Sequence, residues 1–260
     1  MKLFKQLLTR NDCYKSGRTL APRGFMLHST GANNPYVSRY VPGGDVIGRN
    51  TAENHWDQSN AEYFARFGVK LNKCVHAFIG KLADGSIGTV QTLPWHMRGW
   101  HAGEAEGNDQ YIGVEICEDG LDDPVYFAAV WKEAVELAAM LCKMHDWDPR
   151  ASGKVICHCE GHERGIASNH ADVMHWFSRH GVDMDDFREA VLEELRVGER
   201  PERFDNIDQI RKHLPWAEET VRQLISDGRL RGGGKKDADG LPADMDLSLD
   251  MIRILVMLCK

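Results

Sequence analysis

The sequence predicts an α/β protein, a mixed central β-sheet flanked by helices, followed by a small α-helical C-terminal module. Three observations predict it. Short segments of alternating apolar and small residues recur through the first part of the chain. Longer stretches with apolar residues at helical spacing lie between and after them. A charged, proline-containing break, Glu199-Arg200-Pro201-Glu202-Arg203, then precedes a region with helical spacing only. At 260 residues the chain is long for one small domain, so a domain of roughly 150–200 residues plus a smaller one is expected. The divisions drawn here are 1–198 and 204–260.

The first strand is Gly24-Phe25-Met26-Leu27-His28, ended by the loop-forming run Ser29-Thr30-Gly31-Ala32-Asn33-Asn34-Pro35, which leaves His28 at a strand end. A hairpin follows, formed by residues 75–80 and 87–91 around a turn at Asp84-Gly85. In Tyr111-Ile112-Gly113-Val114-Glu115-Ile116-Cys117 the alternation puts Glu115 on the face opposite Val114 and Ile116. A fourth, shorter strand is Lys154-Val155-Ile156-Cys157-His158. The helices are residues 54–67, with Trp56, Tyr63, Phe64 and Phe67; residues 125–145, with Phe127, Trp131, Val135, Ala138 and Leu141 in register; and residues 183–196, with Met184, Phe187, Val191 and Leu195. In the C-terminal region, residues 216–227 and 248–258 read as short amphipathic helices separated by the loop Gly232-Gly233-Gly234-Lys235-Lys236.

A net charge of -7 argues against a dedicated nucleic-acid binder. No stretch is long enough to span a bilayer, so stable membrane insertion is not expected. The N-terminus begins like a leader but meets Thr9, Arg10, Asn11 and Asp12 before a full apolar region, so no signal peptide is expected. Seven scattered cysteines lack the spacing of a disulfide framework and suit a reducing compartment.

Four of the twelve histidines lie between His158 and His175, a clustering that invites a metal reading. A catalytic zinc site needs about three N, O or S ligands and an open position for water. His28, His158 and Asp172 supply such donors but can converge only through the fold.

Four segments occur here in a recognisable order: Met26-Leu27-His28-Ser29-Thr30-Gly31, Gly99-Trp100-His101-Ala102-Gly103, Tyr111-Ile112-Gly113-Val114-Glu115-Ile116 and Val155-Ile156-Cys157-His158. In that order they resemble the type 2 N-acetylmuramoyl-L-alanine amidases, which share their fold with peptidoglycan recognition proteins. The closing segment, from Gly165 through Asp172 to Phe177, looks like that of phage and prophage endolysins of clostridia and their relatives. The resemblance covers about residues 20–196.

It implies a Zn2+ cofactor held by His28, His158 and Asp172, a catalytic carboxylate at Glu115, and hydrolysis of the amide joining N-acetylmuramic acid to L-alanine in bacterial peptidoglycan. His170, two residues before the third ligand, falls where the family often has Lys, Arg or Thr; it keeps a donor for the scissile carbonyl or oxyanion and makes its charge pH-dependent. Trp100 and His101 are the expected substrate-groove residues. The sequence departs from the family at Asp172-Val173-Met174, where Asp/Cys-Pro-Gly is usual, and in a longer loop between His158 and Asp172. Cys159 and His162 are therefore rival third ligands, whereas Cys157 should face away from His158. Asp172 could alternatively cap the helix that follows.

Relatives on this fold also include non-catalytic peptidoglycan binders, the alternative function; such a binder has no chemical need for all three ligand types together with Glu115. His-Glu-X-X-His is absent, against a zinc peptidase of that kind. The C-terminal region looks like the helical tails of some endolysin amidases and faintly like an S-layer-homology repeat, implying wall binding or homodimerisation. Absence of a leader fits residence in the host cytoplasm until a holin-type lesion gives access to the wall.

Overall fold

The computed structural model describes residues 1–198 and 202–259. Glu199, Arg200 and Pro201, the centre of the expected interdomain break, lie outside the described residues. Two compact units are present, Met1–Glu194 and Leu195–Lys260.

The first unit is built on a six-stranded sheet. Its strands are β1 (Leu3–Lys5), β2 (Gly24–Asn33), β3 (Ala77–Lys81), β4 (Ile87–Gln91), β5 (Tyr111–Glu118) and β6 (Val155–Cys157), in the spatial order β1-β4-β3-β5-β2-β6. Only the β3–β4 hairpin is antiparallel; the other four pairings are parallel. The helices of this unit are α1 (Asp12–Ser16), α2 (Asn60–Phe67), α3 (Ala105–Gln110), α4 (Pro124–His145), α5 (His158–Glu163) and α6 (Met174–Phe177), and α7 (Met184–Gly198) begins in it and runs past its boundary at Glu194. The expected mixed α/β class is what the chain adopts.

Helix α4 forms as its sequence dictates. Asp123 caps it by accepting hydrogen bonds from the Val125 and Tyr126 amides, and Pro124 occupies the first turn, where its missing N–H costs nothing. Asp146 ends it in the left-handed region at φ 54°. Its buried face includes Phe127, Val130, Ala134, Leu137 and Leu141, each large member contributing about 1.5–3 kcal/mol of burial. Phe127 and Trp131 meet Phe177 and Phe187 in an aromatic layer that also receives Phe25 from β2. A second buried cluster joins Tyr40, Trp56, Phe78 and Val90.

Several features differ from the sequence reading. Strand β2 continues to Asn33 through the run read as a loop, so His28 lies within the strand rather than at its end. Helix α2 starts at Asn60 rather than residue 54, because Ser59 and Glu62 form a reciprocal capping box. The preceding residues are a loop that buries Trp56, and Gln58 donates to the carbonyls of Glu53 and His55 there. The fourth strand ends at Cys157, and His158 begins α5. Finally, the N-terminal residues, read only as an incomplete leader-like stretch, supply the edge strand β1 through parallel pairing with β4.

The second unit contains β7 (Arg203–Phe204), α8 (Ile207–His213), α9 (Glu218–Ser226), β8 (Leu247–Ser248) and α10 (Leu249–Leu258). Phe204, Ile207, Ile210, Leu214, Val221, Leu247 and Ile252 are buried together in a core drawn from this unit alone. Asp244 organises the glycine-rich loop by accepting from the Gly233 and Lys235 amides. No helix among the described residues is long and apolar enough to cross a membrane.

Candidate metal centre and active site

Register builds the site. In the parallel β2–β5 pair His28 lies opposite Glu115, and in the β2–β6 pair Leu27 lies opposite Cys157, so His158 emerges beside His28. His28 and Glu115 thus lie side by side within β2 and β5, and His158 joins them just past the carboxyl end of β6. The loop after α5 brings Asp172 back over them, and the Cys159 amide donates to the Asp172 carbonyl to hold that return.

Three donor atoms face one another. His28 Nδ1 is 3.0 Å from His158 Nδ1 and 3.2 Å from Asp172 Oδ2, and His158 Nδ1 is 3.6 Å from that oxygen. Ligands about 2.0–2.1 Å from a tetrahedral zinc are separated by roughly 3.3 Å. The observed separations bracket that value, so the donor set fits such an ion. No second group of this kind occurs among the described residues.

The remaining ring nitrogens fix the tautomers. His101 Nε2 donates to the Tyr111 carbonyl at 3.1 Å, so its Nδ1 accepts from His28 Nε2 at 2.9 Å, which leaves the His28 Nδ1 lone pair free to face the centre. His158 Nε2 lies 3.2 Å from the Ser168 hydroxyl, which lies 3.0 Å from His170 Nδ1. With His158 Nε2 donating to Ser168 and Ser168 donating on to His170 Nδ1, the proton of His170 resides on Nε2. His76 stands behind His101, donating from Nε2 to the Met97 carbonyl and accepting the Gly113 amide at Nδ1.

Electrostatics differentiates the two carboxyls. Burial pushes Glu115 up to about 7; His28 pulls it back and the Asp172 charge adds to the rise. Burial also acts to raise Asp172, but the hydrogen bond and charge of His28, with help from His158, hold it below the usual carboxylate range. Burial and the neighbouring His28 lower His158 to about 4, against the pull of Asp172. An imidazole kept neutral and a carboxylate kept charged are the protonation states a cation requires. Glu115 Oε2 is buried and has no hydrogen-bond partner among the described residues.

All of these groups open onto one cleft of about 430 Å³, which Trp100, His101, His170 and His175 also line. Trp100 is 40% exposed. His101 reaches the cleft although both of its nitrogens are engaged within the protein. Cys159 and His162 stand apart from the three donors: Cys159 Sγ contacts Cys157 Sγ at 3.2 Å, and His162 Nδ1 donates to the Ala167 carbonyl. Asp172 makes no side-chain cap for α6, whose N-cap is Val173.

A family model described as N-acetylmuramoyl-L-alanine amidase matches residues 18–175. The chain belongs to that amidase family. Its match contains every residue of the centre just described. Among solved structures, this amidase resembles Staphylococcus aureus hydrolase AmiA in complex with its ligand, with 18% identity, a TM-score of 0.52 and coverage of 76% of this chain and 85% of that one. That likeness concerns the fold. The catalytic domain of XlyA (18% identity, TM-score 0.48, 74% of this chain and 99% of that one) and the PlyG catalytic domain (17%, 0.49, 75% and 96%) align as well. No curated protein matches the sequence closely enough to count as a relative.

The sequence reading did not single out Ser168, which bridges His158 to His170. It also missed the His175–Glu118 pair, 3.0 Å apart at the cleft wall, with Glu118 buried. A serine in a loop and an acid at a strand end carry no local signal; only the fold makes them neighbours.

Proposed function

We propose that this N-acetylmuramoyl-L-alanine amidase is zinc-dependent, with His28, His158 and Asp172 as ligands, Glu115 as general base and acid, and His170 as the donor to the developing oxyanion. The observation that carries this reading is the convergence of three ligand-type atoms on a cleft where the buried Oε2 of Glu115 has no hydrogen-bond partner among the described residues. Zinc bound there would polarise the scissile carbonyl and acidify the attacking water. Glu115 Oε2 takes the proton of that water and returns it to the alanine nitrogen as the C–N bond breaks, leaving a carboxylate on the muramic acid side and a free amine on the peptide. His170 Nε2–H donates to the carbonyl oxygen as charge builds on it; such a donor is worth about 2.7–4 kcal/mol in the transition state. Trp100 forms a wall against which substrate lies.

The resemblance of residues 165–177 to phage and prophage endolysins supports a lytic role, with holin-type release to the wall and the C-terminal module retaining the enzyme there. Digestion of purified peptidoglycan, read by mass spectrometry with and without chelator, tests the reading. The expected products are free stem-peptide amines, lost on chelation and restored by zinc. Metal analysis of His28→Ala and His158→Ala should show loss of bound zinc, and Asp172→Ala should weaken binding. Stoichiometric zinc in both histidine variants would remove the ligand assignment, and loss in Cys159→Ser or His162→Ala with retention in Asp172→Ala would move the third ligand.

A further inference from the structure

Two thiols beside the centre have no task in the hydrolysis. Cys157 and Cys159 flank His158 in the chain, and their sulfurs meet at 3.2 Å, both as free thiols. Cys157 is fully buried at the end of β6, where it pairs with Leu27 of β2, and its amide donates to the Glu160 carboxylate. Arg188 of α7 holds that carboxylate in turn, at 3.1 Å. Cys159 is partly exposed in the first turn of α5, and its amide is the one that donates to the Asp172 carbonyl. The thiol pair thus brackets one expected ligand and is tied by a hydrogen bond to another.

A disulfide holds its sulfurs at about 2.05 Å, so bonding this pair closes the gap by about 1 Å. Packing decides which side moves. Cys157 is fixed by burial and sheet pairing, and α5 beyond its first turn is seated on β2, since a Cβ at Gly161 would stand 3.0 Å from both Ala167 Cβ and Met26 Cε. Closure therefore falls on His158 and Cys159, and it displaces both the imidazole and the amide that steadies Asp172. We propose that Cys157 and Cys159 form a redox-sensitive modification site in which their disulfide and a zinc ion at His28, His158 and Asp172 oppose each other. The proposal rests on the zinc-amidase reading, and its oxidant is a low-molecular-weight disulfide. Cys159, the accessible thiol, attacks that disulfide and expels its first half; Cys157 then attacks the Cys159 sulfur of the mixed disulfide and expels the second half. Two protein thiols are oxidised, one small disulfide is reduced, and the two thiol protons end on the two released thiols. A chain that meets oxidant before zinc is closed to loading, whereas one loaded first keeps its thiols.

Equilibration of the full chain in buffers of reduced and oxidised glutathione, followed by peptide mapping with mass spectrometry, tests the site. Chelated wild type should form the Cys157–Cys159 bond. Saturating, buffered zinc should lower the ratio [GSH]²/[GSSG] at which half of the chains carry it by about 10–100-fold, the usual scale for disturbing a ligand's support. Linkage requires the same factor in the other direction, so a competition titration should find the oxidised chain about 10–100-fold weaker for zinc than the reduced one. Cys157→Ala and Cys159→Ala should each bind zinc as reduced wild type does and show no change on exposure to oxidised glutathione. Absence of the bond at every ratio, a half-point indifferent to zinc, or weakened zinc binding in the reduced alanine variants would each overturn the proposal. The two readings fail differently: a reduced wild type that binds no zinc removes the zinc assignment and the coupling together, whereas one that binds zinc equally well in both thiol states removes the coupling alone.

Discussion

Glu115 stands in opposing fields. Burial and the Asp172 charge favour its neutral form, His28 favours the carboxylate, and the outcome near 7 is where a proton carrier is most useful at neutral pH. In the unfolded chain the same group ionises at an ordinary carboxylate pH, near 4.3. Ionisation is thus harder in the folded state, which imposes a cost on folding that is absent below about pH 4.3, grows as pH rises towards 7 and is complete above it. Glu115→Gln removes that cost. In chelated protein the variant should therefore be more stable than wild type at pH 8, by about 1–3 kcal/mol, with the two melting curves converging as pH falls towards 4.3. Zinc should shrink the difference, since a nearby cation favours the carboxylate. The same variant should keep its zinc and lose about 10²–10⁴ in turnover. Equal stability at pH 8 would deny the burial argument, and near-wild-type lysis would deny the catalytic role.

At the scale of elements, the site depends on how closely β5 approaches the His101 ring. A Cβ at Gly113 would come within 2.4 Å of His101 Cγ, so a glycine at this strand position is what lets the imidazole lie against the sheet and reach His28. Gly113→Ala should push the ring away, break the His28–His101 hydrogen bond and lower zinc affinity by about 10–100-fold, the usual cost of losing such a ligand-orienting partner. A metal competition titration would measure it, and unchanged affinity would show that His28 needs no support from His101. Much of this architecture was legible in the sequence because α4, α7 and the β3–β4 hairpin carry strong local periodicity or a turn signal. Strand β1 was not, since Leu3–Lys5 is too short to show a pattern and is defined by its distant partner β4. Helix α8 was overlooked for a similar reason: seven residues with only Ile207 and Ile210 buried barely exceed one amphipathic repeat. The metal-ligand candidates came from the ordered motifs, not from spacing, since 144 residues separate His28 from Asp172. Their meeting depends on strand register, and so does the Ser168 bridge, which no local pattern announces.

For the whole molecule, the question is whether the C-terminal module serves the chemistry or only its location. The centre, its supporting histidines and the aromatic layer beneath it all belong to the unit Met1–Glu194, and the module has an apolar core of its own residues. A chain ended at Gly198 should therefore fold, melt close to the full-length protein and cleave soluble muropeptides at nearly the full rate. Its activity on intact walls should fall further, because a tethered wall-binding or dimerising module raises the local concentration of enzyme at an insoluble substrate without touching the bond that breaks. The size of that fall should diminish as enzyme concentration rises and substitutes for the tether. Melting curves run beside both assays distinguish this from a supporting role. A large drop in melting temperature, with parallel loss on soluble and insoluble substrates, would mean that the catalytic unit needs the module to hold its fold. Equal activity of the two chains on walls at low enzyme concentration would mean that the module has no part in retention.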